Sequence, residues 1–371
     1  MAAGGAPLVV VAAGGTGGHL FPAEALSIAL AKRGAVIDLA TDERATRYGM
    51  TFSARATHII PSATVRGRDP ISLARTGIVL GYGTVKAWFL MGRLRPAAVI
   101  GFGGYPSIPP VLAASLRGIP TLIHEQNGVM GRANRFLSTR VRAIATGFPG
   151  ILDSNSALAA KATHTGNPVR PAVVAAAATP YAPPKAGGTL TIVVFGGSQG
   201  ARIMADVVPE ALARLDSLLR SRLRVVQQAR AEDLARVQQI YGQAQIAAEV
   251  APFFTDLPAR IAAAQLVISR SGASTVAELA AIGRPSVLVP LPHALDQDQR
   301  ANAGVLEKAG GAIRIDQADF LPEPLAALIT SLINEPGRLA RMAAAAKATG
   351  TLDAAERLAD LVLKVAGVVA D

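Results

Sequence analysis

One pattern occurs twice in this chain and limits its fold more than any other feature. An unbroken apolar run ends in a cluster of glycines, and a helix-like segment follows at once. The first copy is VVVAAGGTGGHLFPAEAL at 9–26 and the second is LTIVVFGGSQGARIMADVVPEAL at 190–212. Short apolar runs closed by glycine read as strands buried on both faces, and strands alternating with helices build a parallel, doubly wound sheet. Laid over one another, Gly14-Gly15-Thr16 matches Gly196-Gly197-Ser198, so the pattern starts afresh in the second half. At 371 residues and 50% hydrophobic composition the chain has material for two such cores rather than one. The fold class is therefore α/β, with two Rossmann-like domains. A tight turn consumes one or two glycines, and the surplus implies that a ligand approaches the backbone closely.

In the first half, strands are expected at Pro7–Ala13, Val36–Ala40, His58–Ile60, Ala98–Gly101, Thr121–His124 and Ala143–Thr146. Helices are expected at Pro22–Arg33, Ile71–Arg93, Ile108–Arg117 and Arg132–Leu137. A third glycine turn, VIGFGGYPSIPP at 99–110, falls inside this half. Residues 171–189, PAVVAAAATPYAPPKAGGT, are rich in Ala, Pro and Gly with no amphipathic period, which reads as a linker. The resulting plan is a first domain over 1–166, a linker over 167–189 and a second domain over 190–351. The closing segment, 352–371, carries a helix candidate at Leu352–Val369 that is expected to return and pack on the first domain.

Composition removes several function classes. Without cysteine there are no disulfides, no thiol catalysis and no cysteine-held metal. Five histidines with no H-x-x-x-H or H-x-H pair argue against a histidine metal site. No run of about 18 apolar residues is uninterrupted, so no spanning helix is expected. The N-terminus lacks a basic region ahead of its apolar run, which reads as a strand rather than a signal peptide. These features predict a soluble or peripheral cytoplasmic protein. The formal charge of +11 is unevenly spread: residues 1–166 hold 17 Lys+Arg against 7 Asp+Glu, and 167–371 hold 20 against 19. A basic half beside a neutral one fits a partner of concentrated negative charge, either nucleic acid or an anionic membrane surface. Nucleic acid is disfavoured by an aromatic content of 4% and by the absence of a DNA- or RNA-binding motif.

A glycine turn at a strand's end aims the first amides of the next helix at a ligand, and the helix dipole makes that ligand an anion, typically phosphate. Neither main turn is followed about 20 residues later by the strand-end acid that dinucleotide folds place on ribose, because Asp38 lies inside its strand. That argues against NAD. The segment VISRSGASTVAELAAIGRPSVLVP (267–290) adds a strand, then Arg270-Ser271-Gly272-Ala273-Ser274-Thr275, then a helix carrying Glu278. Ser271 to Thr275 are suited to cap that helix and bind phosphate through backbone and hydroxyl groups. Glu278 reads in two ways, as an acceptor for two vicinal ribose hydroxyls or as a capping-box acid. Further on, LPHALDQDQRANAGVL offers Asp296, Gln297, Asp298 and Gln299 to sugar hydroxyls. Asp296-x-Asp298 has the spacing of a Mn²⁺-binding pair, but it precedes a helix in a domain already supplied with phosphate-binding turns. No metal site is assigned.

Six motifs, GGTGGHLFPA, GFGGYPSIPP, HEQNGVMGRANR, TGNPVR, FGGSQGA and RSGASTVAEL, stand in an order and spacing that resembles the MurG family, the peptidoglycan glycosyltransferases of glycosyltransferase family 28. The resemblance covers nearly the whole chain. It implies the GT-B fold, in which two Rossmann-like doubly wound domains face across a cleft and the second holds most of the donor. It implies an inverting transfer of N-acetylglucosamine from UDP-N-acetylglucosamine to the 4-hydroxyl of undecaprenyl-pyrophosphoryl-MurNAc-pentapeptide, with no cofactor. The implied location is the cytoplasmic face of the bacterial inner membrane, held peripherally.

Carried over position by position, the resemblance puts Thr16, Gly17, Gly18 and Asn127 on the donor, and Arg170 and Ser198 on its diphosphate and sugar. Tyr105 and Asn134 belong to acceptor-side motifs. Phe254 lies against the uracil, Ala273, Ser274, Thr275, Val276, Ala277 and Glu278 line the nucleotide, and Gln299 takes the N-acetylglucosamine hydroxyls. The family often shows two adjacent glutamines there. Here Asp298 occupies the first of those places, which leaves Gln297 as an alternative.

His19, at a helix start, stands where an acceptor hydroxyl would lie and is the first candidate for general base; its other readings are a structural cap or an acceptor-binding residue. Glu125 is the second candidate base, or else an organiser of its loop. The stretch Arg66–Arg95 sets Arg66, Arg68, Arg75, Lys86, Arg93 and Arg95 among Ile78, Val79, Leu80, Tyr82, Trp88, Phe89 and Leu90. It reads either as an interfacial helix on anionic lipid or as a buried amphipathic helix with a solvated basic face. The competing enzymes are a UDP-sugar epimerase, which shares the architecture, and another GT-B glycosyltransferase.

Overall fold

The computed structural model describes residues 5–14, 17–43, 52–64, 69–197, 200–292 and 297–368. The chain divides into two units, Met1–Arg170 with Leu352–Asp371, and Pro171–Thr351.

The first unit opens with β1 (Leu8–Ala12), α1 (Gly17–Lys32), β2 (Val36–Thr41), β3 (Ala56–Ile59) and α2 (Pro70–Leu94). It continues with β4 (Ala98–Gly101), α3 (Ile108–Leu116), β5 (Thr121–Glu125), α4 (Arg132–Ser138), β6 (Ala143–Thr146), α5 (Ser156–Ala159) and β7 (Ala162–His164). All pairings are parallel and the strand order is β3-β2-β1-β4-β5-β6-β7. The chain runs outward from β1 to β3, then returns to β1's other side as β4, so the direction of winding reverses between β1 and β4. In such sheets ligands bind at that reversal, outside the carboxyl ends of the strands. β1 is apolar at every position because each of its faces is covered. Val9, Val11 and Ala13 pack with Leu26 and Leu30 of α1, while Val10 and Ala12 pack with Met91 of α2 and Val111 of α3.

α1 begins at Gly17 rather than at the expected Pro22, which lies in its second turn. Proline there forgoes one intrahelical bond, to the carbonyl of Gly18. α2 is capped by Asp69, whose carboxylate accepts from the Ser72 N–H at 2.8 Å, and it ends at Arg95 in the left-handed conformation (φ 47°). Its packed face is narrow: Thr76, Gly83, Ala87 and Met91. The large apolar side chains point out instead, with Ile71 81%, Ile78 73% and Phe89 65% exposed. The reading of this helix as a buried amphipathic one is thereby corrected. Arg66 and Arg68 lie outside the described residues.

The second unit holds α6 (Pro171–Ala176), β8 (Leu190–Phe195), α7 (Arg202–Ala213), α8 (Ser217–Arg222), β9 (Leu223–Gln228), α9 (Leu234–Gln243), β10 (Ala247–Ala251) and α10 (Leu257–Ala263). β11 (Leu266–Ser269), α11 (Ala273–Ile282), β12 (Ser286–Leu288), α12 (Asp298–Ala309), β13 (Ala312–Arg314), α13 (Pro322–Asn334) and α14 (Pro336–Thr349) complete it. Its parallel sheet, β10-β9-β8-β11-β12-β13, reverses between β8 and β11.

The stretch expected as a linker is tied down. It contains α6, and its backbone carbonyls at Thr179 and Ala177 accept from the Arg284 guanidinium and the Lys347 ammonium, each at 2.9 Å. Arg284 is 1% exposed and also serves the carbonyls of Ile282 and Gly283, so its charge is buried among acceptors. The last helix, α15 (Ala354–Val365), belongs to the first unit, where Leu358, Ala359 and Val362 pack against the α1 side of the sheet.

Candidate functional site

Three loops meet at the reversal point of the first sheet. Gly14 ends β1 in a gap so tight that an added Cβ would lie 3.0 Å from Thr41 Oγ1, Asp42 Oδ1 and Pro106 Cβ. That close approach, rather than turn geometry, is what demands glycine there. After β4, Gly103 and Gly104 adopt positive φ (78° and 68°), and a Cβ on Gly104 would stand 3.3 Å from the imidazole of His19. His19 lies in the first turn of α1, half-buried, and Gly17 and Gly18 precede it. Tyr105 is half-buried against the apolar cluster under α2 and α3. Thr16 lies outside the described residues.

β5 supplies the third loop, HEQN. Glu125 is 1% exposed, and each of its oxygens accepts twice. Oε1 takes Asn127 N at 2.9 Å and Asn127 Nδ2 at 3.1 Å, while Oε2 takes Gly131 N at 2.9 Å and Asn134 Nδ2 at 2.8 Å. Burial pushes this carboxyl above its usual range, against the pull of those donors. The side chain is a hub that folds the 127–134 loop back onto the sheet. Asn134 also donates to the His124 carbonyl at 3.1 Å.

His124, fully buried, donates from Nε2 to the Gly166 carbonyl at 3.0 Å, and its Nδ1 accepts from Gln126 Nε2 at 3.1 Å. Burial lowers its pKa from 6.5 to about 4. The unfolded chain therefore binds a proton between those values that the folded one refuses, and stability rises with pH across that window. This histidine by itself is expected to take roughly 3 kcal/mol from the unfolding free energy as pH drops from 6.5 to 4, a contribution that His124→Gln should remove in denaturant titrations.

Arg170 sets its guanidinium 4.4 Å from the Phe21 ring centre on α1, near Glu24, whose carboxyl burial raises and Arg170 lowers. Asp38, mid-strand in β2, is claimed by Arg55 and His58, each at 2.8 Å.

The second sheet presents its own loops at the matching edge. After β8, the Gly196 N–H donates to Gln228 Oε1 at 3.1 Å, and Gln228 Nε2 holds the Pro252 carbonyl at 3.1 Å. Ser198 lies outside the described residues. α11 starts at the same reversal point, with Gly272 as N-cap and no side-chain cap. The expected capping by Ser271 is corrected: its hydroxyl donates to the Gln299 carbonyl at 2.8 Å, and its own carbonyl accepts from buried Asn302 at 3.2 Å. The helix N-terminus at the sheet's reversal point is the kind of end that suits an anion. With the cap at Gly272, Glu278 falls a full turn beyond the capping-box position, so that reading of it is also corrected. Glu278 is buried at 6% exposure, Val276 and Ala273 point into the core, and Ser274, Thr275 and Ala277 are partly exposed.

Gln299, in the first turn of α12, accepts from the Leu291 N–H at 3.1 Å, whereas Gln297 is an exposed left-handed N-cap at φ 52°. Phe254 is buried beneath the Arg260 guanidinium, 4.5 Å from its ring centre, and Phe253 is the exposed ring of the pair. Asp296 lies outside the described residues, and among those described no three His, Asp or Glu side chains gather to hold a metal. Sequence reasoning passed over Gln126, Gln228, Arg270 and Asn302. All four are buried polar side chains that brace the loops, and Arg270 does so by donating to the carbonyls of Val289 and Pro290 at 3.1 and 2.9 Å. For Gln126, Gln228 and Arg270 a position at a strand end was the one hint; Asn302, inside α12, offered none.

Two parallel α/β units, each with glycines at its sheet's reversal point, have the GT-B architecture of two-domain glycosyltransferases. The glycosyltransferase family 28 N-terminal domain matches residues 9–146 and the family's C-terminal domain matches 191–358, so the chain belongs to glycosyltransferase family 28. It is 63% identical over 98% of its length, and 99% of the relative's, to a UDP-N-acetylglucosamine--N-acetylmuramyl-(pentapeptide) pyrophosphoryl-undecaprenol N-acetylglucosamine transferase of Rhodopseudomonas palustris strain CGA009. The crystal structure of Acinetobacter baumannii MurG superposes with a TM-score of 0.79 at 31% identity, covering 96% of this chain and 99% of that one. A UDP-N-acetylglucosamine 2-epimerase structure (TM-score 0.67, 14% identity, 99% and 98% coverage) shares the fold alone.

Proposed function

We infer that this protein transfers N-acetylglucosamine from UDP-N-acetylglucosamine to lipid-linked N-acetylmuramyl-pentapeptide in peptidoglycan synthesis. The observation that carries this is 63% identity, over nearly the full length of both chains, to a protein bearing that name. In this reading the N-terminus of α11 and the Gly196–Gly197 turn receive the diphosphate, aided by Ser198, Thr16 and Arg170. Glu278 accepts from the ribose hydroxyls, and Gln299 orients the sugar in preference to Gln297. Val276 belongs to the stretch that lines the nucleotide, and Phe254 lies against the uracil. On the first unit, Gly17, Gly18 and Asn127 also reach the donor, while Tyr105 and buried Asn134 belong to the acceptor-side loops. His19 takes the proton of the muramyl 4-hydroxyl as that oxygen attacks the anomeric carbon, and UDP departs with the bonding electrons, inverting the centre. Glu125 shapes the loop.

Radiolabelled donor incubated with and without a soluble lipid acceptor tests the assignment. Product is expected only with acceptor, whereas conversion of donor alone would favour the epimerase. UDP binding by calorimetry tests the donor site separately.

The acceptor's lipid requires contact with a membrane, and among the described residues no helix is long and apolar enough to cross one. The outward face of α2, with Ile71, Ile78, Tyr82, Val85 and Phe89, supports contact at the surface of the inner membrane's cytoplasmic leaflet. Arg117 stacks 3.6 Å from the Trp88 ring centre, and Arg140 lies 4.8 Å from that of Phe136, which adds basic charge beside exposed rings. Replacing both Ile78 and Phe89 by Asp is expected to weaken sedimentation with anionic vesicles at least tenfold, since each side chain contributes about 1.5–3 kcal/mol of transfer energy. Binding unchanged in this variant, or indifferent to anionic lipid content, would remove α2 as the contact.

A further inference from the structure

We propose that Gln126 is a positioning residue that decides which ring nitrogen of His19 carries the proton, through a relay anchored on two backbone carbonyls. The proposal rests on reading His19 as the base only for its kinetic consequence; the relay itself is geometric. Its far end is the Gly166 carbonyl, which can only accept. His124 Nε2, 3.0 Å away, therefore bears a hydrogen. His124 is buried and neutral, so its Nδ1 holds a lone pair. The second anchor is the His124 carbonyl. One end of the Gln126 amide lies 3.1 Å from that carbonyl and 3.1 Å from His124 Nδ1, two acceptors that only an NH₂ group satisfies. A flipped amide would set oxygen against both, leaving buried acceptors facing each other. The orientation is thus determined by chemistry rather than by choice.

With its NH₂ committed, Gln126 turns its oxygen to His19 Nδ1 at 3.3 Å. An amide oxygen accepts, so His19 donates Nδ1–H, and the basic lone pair sits on Nε2. That nitrogen is flanked by Gly104, where any Cβ would intrude to 3.3 Å. Gln126 is 2% exposed, so a turned amide would find no water to replace these bonds. When Nε2 takes a proton, the Nδ1–H···Oε1 bond becomes charge-assisted and strengthens, so its benefit falls on the transition state.

The test uses the full chain labelled with ¹⁵N-histidine, with His19 assigned by the signal that His19→Ala removes. The parent is expected to show the Nδ1–H tautomer at neutral pH, and Gln126→Met to shift it toward Nε2–H. In the same variant, turnover is expected to fall about 10–100-fold, the loss of one hydrogen bond to a charged group, with KM for UDP-N-acetylglucosamine unchanged. An Nε2–H tautomer in the parent, or the parent's tautomer persisting in Gln126→Met, overturns the relay. If Gln126→Met does not fold, the parent spectrum alone decides. Normal turnover in His19→Ala would defeat the base assignment while leaving the tautomer measurement intact, so the two failures are distinguishable.

Discussion

His19→Ala is expected to lower kcat by about 10²–10⁴-fold while leaving KM for UDP-N-acetylglucosamine within a few-fold of the parent. The argument is geometric first. His19 occupies the first turn of α1 at the reversal point of the first sheet, is half-buried, and has its ring held from one side by Gln126 and bounded on the other by Gly104. A group so placed and oriented suits proton transfer better than capping. Donor affinity should survive because the proposed contacts of Glu278, Gln299 and the α11 amides lie on the second unit, and those on the first unit, such as Arg170, keep their side chains in this variant. The fold should survive because only a partly exposed ring is removed. Steady-state kinetics with a soluble lipid acceptor, varying each substrate in turn, separates these effects. Turnover within about threefold of the parent would take His19 out of the chemistry.

Glu125→Ala should show itself first in stability. The side chain satisfies four donors, three half-buried and that of Asn134 buried, and without it Asn127 N, Asn127 Nδ2, Gly131 N and Asn134 Nδ2 lose this acceptor together. At about 1–3 kcal/mol for a buried group left unpaired, with partial relief from entering water, a loss on the order of 3 kcal/mol is expected. For a unit of this size that lowers the melting temperature by roughly 6–12 °C. Glu125→Gln is the sharper comparison. It preserves shape but puts an NH₂ group against two donors, so it should also destabilise, and activity should fall along with the fold. A Glu125→Gln protein that melts like the parent yet has lost turnover would instead make Glu125 the base.

Much of the frame was readable from the residues. The apolar runs ending in glycine located β1, β4 and β8 because a strand covered on both faces has no polar position to spare. Boundaries were weaker where two rules competed. Pro22 suggested a helix start because proline suits a first position, yet packing of Leu20 and Ala23 carried α1 back to Gly17. Residues 171–189 looked like a free linker because their composition has no apolar period. What holds them is a pair of cations from far along the chain, Arg284 and Lys347, which no local pattern announces. For α2 the sequence left two readings. Exposure separated them, since the helix packs through Thr76, Gly83, Ala87 and Met91 and turns its larger apolar side chains outward.

The candidate site divides in the same way. Residue types and spacing alone specified two glycine turns at strand ends, a basic first half and an acid within a helix, because turn chemistry, charge and helical period are local properties. Which groups meet was decided by the winding of two parallel sheets. That winding brought residues 14, 103–104 and 124–127 to one edge, spent Glu125 on four donors, gave Ser271 to Gln299 rather than to a helix cap, and set Gln126 between two histidines. A hydrogen bond depends on where both partners come to rest, and for residues a hundred positions apart only the packed fold determines that.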